Sequence, residues 1–124
     1  MKILTLCRGG HVRSVALKYL LHYNCEERHD VIACGWESNS QETREMLYGW
    51  ADYIVVMTKD FAQYVPEKFH NKPSGGRKLF CYDVGEDRFM NPFHPEIQTM
   101  LKSMIKNHGL FAKNKENQTK EYPV

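Results

Sequence analysis

At 124 residues the chain is long enough for one domain with one core and too short for two. Its 42% apolar and 26% charged residues fit a soluble globular protein, and a formal charge of only +2 argues against the concentrated basic face of a dedicated nucleic-acid binder. The apolar start, Ile3 to Leu6, is too short for a signal-peptide core, and no stretch is long enough for a membrane span. The expected setting is therefore the cytoplasm, with Cys7, Cys25, Cys34 and Cys81 as thiols.

Lys2 to Leu6 reads as a short buried strand broken by Gly9-Gly10. From Ser14, Val15, Ala16, Tyr19, Leu20 and Tyr23 recur at helical spacing. Val31 to Cys34 is a second strand, closed by Gly35. Ser40, with Thr43 and Glu45, begins a helix expected to turn Met46, Leu47 and Trp50 inward. Tyr53 to Met57 is the clearest strand, because its β-branched run lacks polar alternation and implies burial on both sides. Asp60 is expected to cap a helix carrying Phe61, Tyr64 and Val65, with Pro66 late within it or marking its end. Lys72 to Gly76 is a loop, Lys78 to Tyr82 a fourth strand, and Asp83 to Pro92 an irregular polar loop. Pro95 opens a last helix to about Asn107, with Ile97, Met100, Leu101, Met104 and Ile105 inward. The domain is placed at residues 1–108, and 109–124 are expected to be an extension or frayed tail.

Strand and helix alternate four times, which predicts an α/β fold with a parallel sheet covered on both faces. Such sheets bind ligands beyond the carboxyl ends of their strands, where the strand order reverses. The first strand runs there into Cys-Arg-Gly-Gly-His-Val-Arg-Ser, residues 7 to 14. Gly9 and Gly10 allow several backbone N–H groups of Arg8, Gly9, Gly10, His11, Val12 and Arg13 to turn toward one point. The helix start adds its unsatisfied N–H groups and the positive end of its dipole. Arg13 supplies a planar fork for two oxygens of a tetrahedral anion, and the same field favours the thiolate of Cys7.

Each feature alone is ordinary. A cysteine after a strand is commonly a small buried hydrophobe, and Gly-Gly turns are frequent. No Gly-Lys-Ser/Thr follows the glycines and no G-x-G-x-x-G is present, so nucleotide and dinucleotide cradles are not indicated. The cysteines contain no C-x-x-C pair, and His22, Cys25 and His29 at a helix end are expected to be solvated rather than metal ligands. What distinguishes the segment is C-x5-R-S between a first strand and a first helix.

In that motif the chain resembles the low-molecular-weight protein-tyrosine phosphatases, through Cys7, Gly9, Arg13 and Ser14. Ala33-Cys34-Gly35 and Trp50 to Thr58 resemble the family's second and third strands. The resemblance spans about residues 2 to 108 and implies a three-layer fold with a four-stranded parallel sheet in the order 2-1-3-4. It implies that Cys7 attacks phosphorus to form a phosphocysteine, that Arg13 and the loop N–H groups hold the equatorial oxygens, and that Ser14 hydrogen-bonds the thiolate. The chain departs from the family pattern at Gly10, where an asparagine is usual, and in a shorter stretch after the second strand. The Asp-Pro of the general acid is also absent, leaving Asp87 as the expected acid and Asp83 as its alternative. Trp36, Phe89 and Arg8 are candidates for the pocket wall.

The expected substrate is a phosphorylated protein, phosphotyrosine first, or a small phosphomonoester. No metal or organic cofactor, nucleic acid or membrane partner is expected. Two alternatives stay open: a thiol-dependent arsenate reductase using Cys81, with Cys34 more distantly, and a non-catalytic phosphate-binding or interaction module.

Overall fold

The computed structural model describes residues 1–9, 12–24, 29–86 and 88–111. Four strands, β1 (Lys2–Cys7), β2 (Asp30–Gly35), β3 (Tyr53–Val56) and β4 (Leu79–Cys81), form one parallel sheet in the order β2-β1-β3-β4. Consecutive residues Ile3 to Cys7 are all buried although successive side chains point to opposite faces, so both faces of β1 are covered. Each fully buried Leu or Ile there contributes about 1.5–3 kcal/mol relative to an exposed one. Helix α1 (Arg13–Tyr19) packs on β1 and β2 and against α3 (Pro95–His108), while α2 (Gln41–Trp50) rests on β1. The chain leaves β1 for β2 on one side and returns to β3 on the other. The order therefore reverses at the carboxyl end of β1, where Cys7 stands.

The helices differ in detail from the expected ones. α1 stops at Tyr19 and passes into a wider π-helical turn, Leu20–Asn24, which buries the adjacent Leu20 and Leu21 together. Ser40 caps α2 as expected, its Oγ accepting the Thr43 N–H at 3.2 Å. The inward face is different: Met46 is 74% exposed, and Tyr48, 1% exposed, is the residue buried against Phe69. The Tyr48 carbonyl, near the end of this helix, accepts the buried Lys78 ammonium at 2.6 Å. The Asp60 helix is a 3-10 helix, Lys59–Tyr64, with Thr58 at its cap position and no capping side chain.

α3 begins at Pro95, with His94 Nδ1 accepting the Glu96 N–H, and buries Ile97, Leu101 and Ile105. It ends at Gly109 in the left-handed region, φ 79°. The boundary at 108 needs correcting, because the chain turns back and buries Phe111, 1% exposed, in the core. Its carbonyl meets the buried His29 Nε2 at 3.0 Å. Residues 112–124 lie outside the described residues. Those described contain no helix long and apolar enough to cross a membrane.

Candidate active site

The cradle starts where β1 ends. The Cys7 carbonyl accepts the Trp36 N–H, the Arg8 carbonyl accepts the Glu37 N–H, both at 2.8 Å, and the Gly9 carbonyl accepts Ser38 Oγ at 2.8 Å. Three successive carbonyls thus meet one segment, whereas a strand would alternate them. The chain has curled. Because C=O and N–H point oppositely across a trans peptide, the N–H groups of Arg8 and Gly9 face away from that segment, the arrangement of an anion-binding nest. Gly10 and His11 lie outside the described residues.

At the base, Cys7 Sγ and Ser14 Oγ are hydrogen-bonded at 3.1 Å, both buried. The Ser14 backbone is held in turn, its carbonyl accepting Thr5 Oγ1 at 2.8 Å. Val12 precedes α1, and no side chain caps the helix start. Arg13 is only 4% exposed. Its Nη1 donates to the Gly85 carbonyl at 2.9 Å, and its guanidinium lies 5.9 Å from the centre of the Phe61 ring. Among the described residues the buried Arg13 Nε has no hydrogen-bond partner, and no carboxylate forms an ion pair with this side chain. A desolvated guanidinium with an unused donor is costly unless something anionic meets it.

Gly85 belongs to the loop after β4, and it carries a contact that no local pattern predicts. With φ 81° it takes a backbone conformation that favours glycine. Its N–H is accepted by Asp83 Oδ1 at 3.0 Å while its carbonyl holds Arg13. Asp83 is therefore exposed and occupied as a turn cap. Asp87 lies outside the described residues. Phe89, a candidate for the pocket wall, is 2% exposed with its ring against His94 and Arg88, which is a core position rather than a rim position. Arg8 is exposed and pairs with Glu37 at 3.6 Å. Trp36 is half-buried beside the cradle, between the Tyr64 ring at 4.7 Å and the Arg44 guanidinium at 3.8 Å.

The other candidate groups do not gather at this site. Cys34 pairs with Leu6 across the sheet, so its side chain shares the face opposite that of Cys7. Cys81 pairs with Val56, which pairs with Leu6, and is thus two strand spacings from the cradle, about 10 Å. A disulfide between Cys7 and Cys81 would need backbone movement. Burial, then the neighbouring Asp83, pushes the Cys81 thiol up from its ordinary value, which disfavours a resolving thiolate. Of the His22, Cys25, His29 group, Cys25 is outside the described residues. His29 is buried rather than solvated, with Nδ1 3.4 Å from the Met1 amine, and its carbonyl meets His22 Nδ1. Among the described residues no cluster of His, Cys, Asp and Glu could hold a metal ion.

No family model and no curated protein sequence matches the chain. A solved structure that does resemble it is the YwlE arginine phosphatase from Geobacillus stearothermophilus. The TM-score is 0.55 at 17% identity, over 98% of this chain and 96% of that one. The likeness is one of fold, a four-stranded parallel sheet in the order 2-1-3-4 with helices around it.

Proposed function

We propose that the chain is a cysteine-dependent phosphatase acting on a phosphorylated protein side chain, phosphotyrosine first. The observation that carries this reading is the buried Arg13, whose Nε has no hydrogen-bond partner among the described residues and which opens the helix that also carries Ser14, the partner of Cys7. Cys7 attacks phosphorus in line, and the P–O bond to the side chain breaks as the S–P bond forms. Arg13 and the N–H groups of residues 8 to 13 take up the charge on the equatorial oxygens, so stabilisation is supplied by the protein itself. The Ser14 hydroxyl donates to the Cys7 thiolate, both on attack and when sulfur leaves again. Asp87 protonates the departing phenolate, then takes a proton from the water that hydrolyses the phosphocysteine. Asp83, engaged by Gly85, is the weaker candidate for that part.

Phosphoarginine is a second reading, favoured by what the structural neighbour is named for. Hydrolysis of para-nitrophenyl phosphate, a phosphotyrosine peptide and a phosphoarginine peptide, each with chelator present, separates the two. Turnover of the aryl substrates is expected, and no turnover of any of the three would leave only a phosphate-binding module.

A further inference from the structure

Beside the cradle a cleft of about 240 Å³ opens next to α2. Trp36, Tyr64 and Pro66 line it as walls, and Arg44, Tyr48 and Glu45 contribute polar groups. Its volume is below the ~300–1,000 Å³ of pockets that enclose a whole small molecule, and suits a single side chain.

Two of its polar groups are incompletely used. The Arg44 guanidinium is held over the Trp36 indole, 3.8 Å from the ring centre, with Nη1 donating to the carbonyls of Trp36 at 2.9 Å and Asn39 at 2.5 Å. No carboxylate among the described residues lies within ion-pair distance of it, although Glu45 is its neighbour in sequence. Tyr48 is almost wholly buried, and its hydroxyl makes no hydrogen bond of ordinary distance and angle to a described residue, although the Arg44 guanidinium is close enough to act on it. Burial pushes the phenol up from its ordinary value more than the Arg44 charge pulls it down, so it stays a neutral O–H donor. A pinned guanidinium and an unsatisfied hydroxyl line the same small cleft, a donor set for an oxyanion. Glu45 in the same lining disfavours a dianion such as free phosphate and leaves a singly charged group. The cleft is also tied to the cradle, since the Trp36 N–H is the one that holds the Cys7 carbonyl.

We infer that this cleft is a subsite for an aspartate or glutamate side chain of the substrate polypeptide, with Arg44 and the Tyr48 hydroxyl donating to its carboxylate. The inference rests on the reading of the cradle as a protein phosphatase site.

The test uses phosphotyrosine peptides in which glutamate or glutamine is placed in turn at each of three positions on either side. The readout is the glutamate-to-glutamine ratio in kcat/KM, taken within each variant so that a general loss cancels. Wild type should favour glutamate about tenfold at one position, mostly through KM, as one charge-assisted hydrogen bond warrants. Tyr48→Phe should reduce the ratio below threefold without lowering Tm, because the hydroxyl it deletes makes no hydrogen bond of ordinary geometry to a described residue. Arg44→Lys should reduce it as well, by losing the planar fork. A ratio near one at every position in wild type overturns the inference, as does a ratio that survives in both variants. If no peptide is hydrolysed, the phosphatase reading fails and the cleft is judged by binding of the unphosphorylated peptides. A glutamate peptide that shifts the Trp36 indole N–H resonance more than its glutamine counterpart keeps the subsite, and equal shifts remove it.

Discussion

The cradle at Cys7–Ser14 and the loop from Tyr82 to Phe89 meet at one hydrogen bond, Arg13 Nη1 to the Gly85 carbonyl, yet they are built by different means. The cradle draws its groups from residues adjacent in sequence, between the last residue of β1 and the first turn of α1. Cys7, Arg13 and Ser14 are all buried, and the segment 36–38 holds the loop through three hydrogen bonds. The loop instead hangs from Tyr82, Val84 and Phe89, which are buried in the core, while Asp83, Glu86 and Arg88 between them face solvent. Its position depends on strands, α3 and Arg13 together. Short-range geometry thus sets the groups of the cradle, and long-range packing sets the loop beside them. Damage to the cradle should abolish chemistry, whereas damage to the loop should grade it.

The largest expected effect is that of Cys7→Ser, a loss of at least ~10⁴-fold in the hydrolysis of para-nitrophenyl phosphate. Phosphate binding should persist, because Arg13 and the loop N–H groups remain. A serine variant that keeps turning over, or wild-type activity that depends on added metal, would sink the thiolate mechanism. Arg13→Lys comes next, with about 2–4 kcal/mol of transition-state stabilisation lost. Lysine keeps the charge but cannot hold Gly85 with one nitrogen while offering others in the same plane. Near-normal kcat/KM in this variant would make Arg13 a structural residue and erase the contrast drawn above.

The same contrast explains what could be read from the sequence. C-x5-R-S after a buried strand placed Cys7, Arg13 and Ser14, because their spacing is local and the strand–loop–helix context is visible in hydrophobic pattern. The strand order comes from the family resemblance, and the four strands from short apolar runs between turn residues, the β-branched run of Tyr53 to Met57 being the clearest. The Gly85–Arg13 contact spans 72 residues, and no periodicity announces it. Phe89 and Phe111 read as rim and tail because an aromatic residue in a polar stretch does not declare which element it packs against. Tyr48 rather than Met46 lies on the buried face of α2 because its ring packs on Phe69, a partner 21 residues away that the periodicity of a ten-residue helix does not reveal.

Within the loop, Asp87 and Asp83 should separate by leaving group. Asp87→Asn should slow phosphotyrosine by about 10²–10³-fold, within the range for a lost general acid, and slow activated aryl phosphates much less. It should also remove the basic limb of the kcat profile, since the acid must be protonated to donate. Asp83→Asn retains an oxygen for the Gly85 N–H, so its loss should be under about fivefold and independent of leaving group. Asp83→Ala removes the cap and should weaken phosphate binding through Arg13 more than Asp83→Asn does. If Asp83→Asn carries the leaving-group dependence instead, the acid is reassigned and the cradle is unaffected.

The smallest effect concerns how the loop is anchored. Tyr82, at its start, has its hydroxyl 2.6 Å from His108 Nδ1 on the last turn of α3, and Phe80 and Phe111 crowd the same imidazole. Burial lowers the pKa of His108 below its ordinary value of 6.5, so the folded protein favours the neutral ring. The unfolded chain then binds more protons than the folded one between that ordinary value and the lowered one. Stability is fully present above about pH 6.5 and declines as the pH falls through this window. The decline should not be uniform, because the cradle lacks this contact and the base of the loop depends on it. Amide exchange at pH 7.5 and pH 5.5, corrected for intrinsic rates, should show protection falling at Tyr82 and Val84 while it holds at Leu6 and Cys7. His108→Gln should flatten the difference between the two pH values. Equal loss of protection in β1 would mean that the two halves open as one unit.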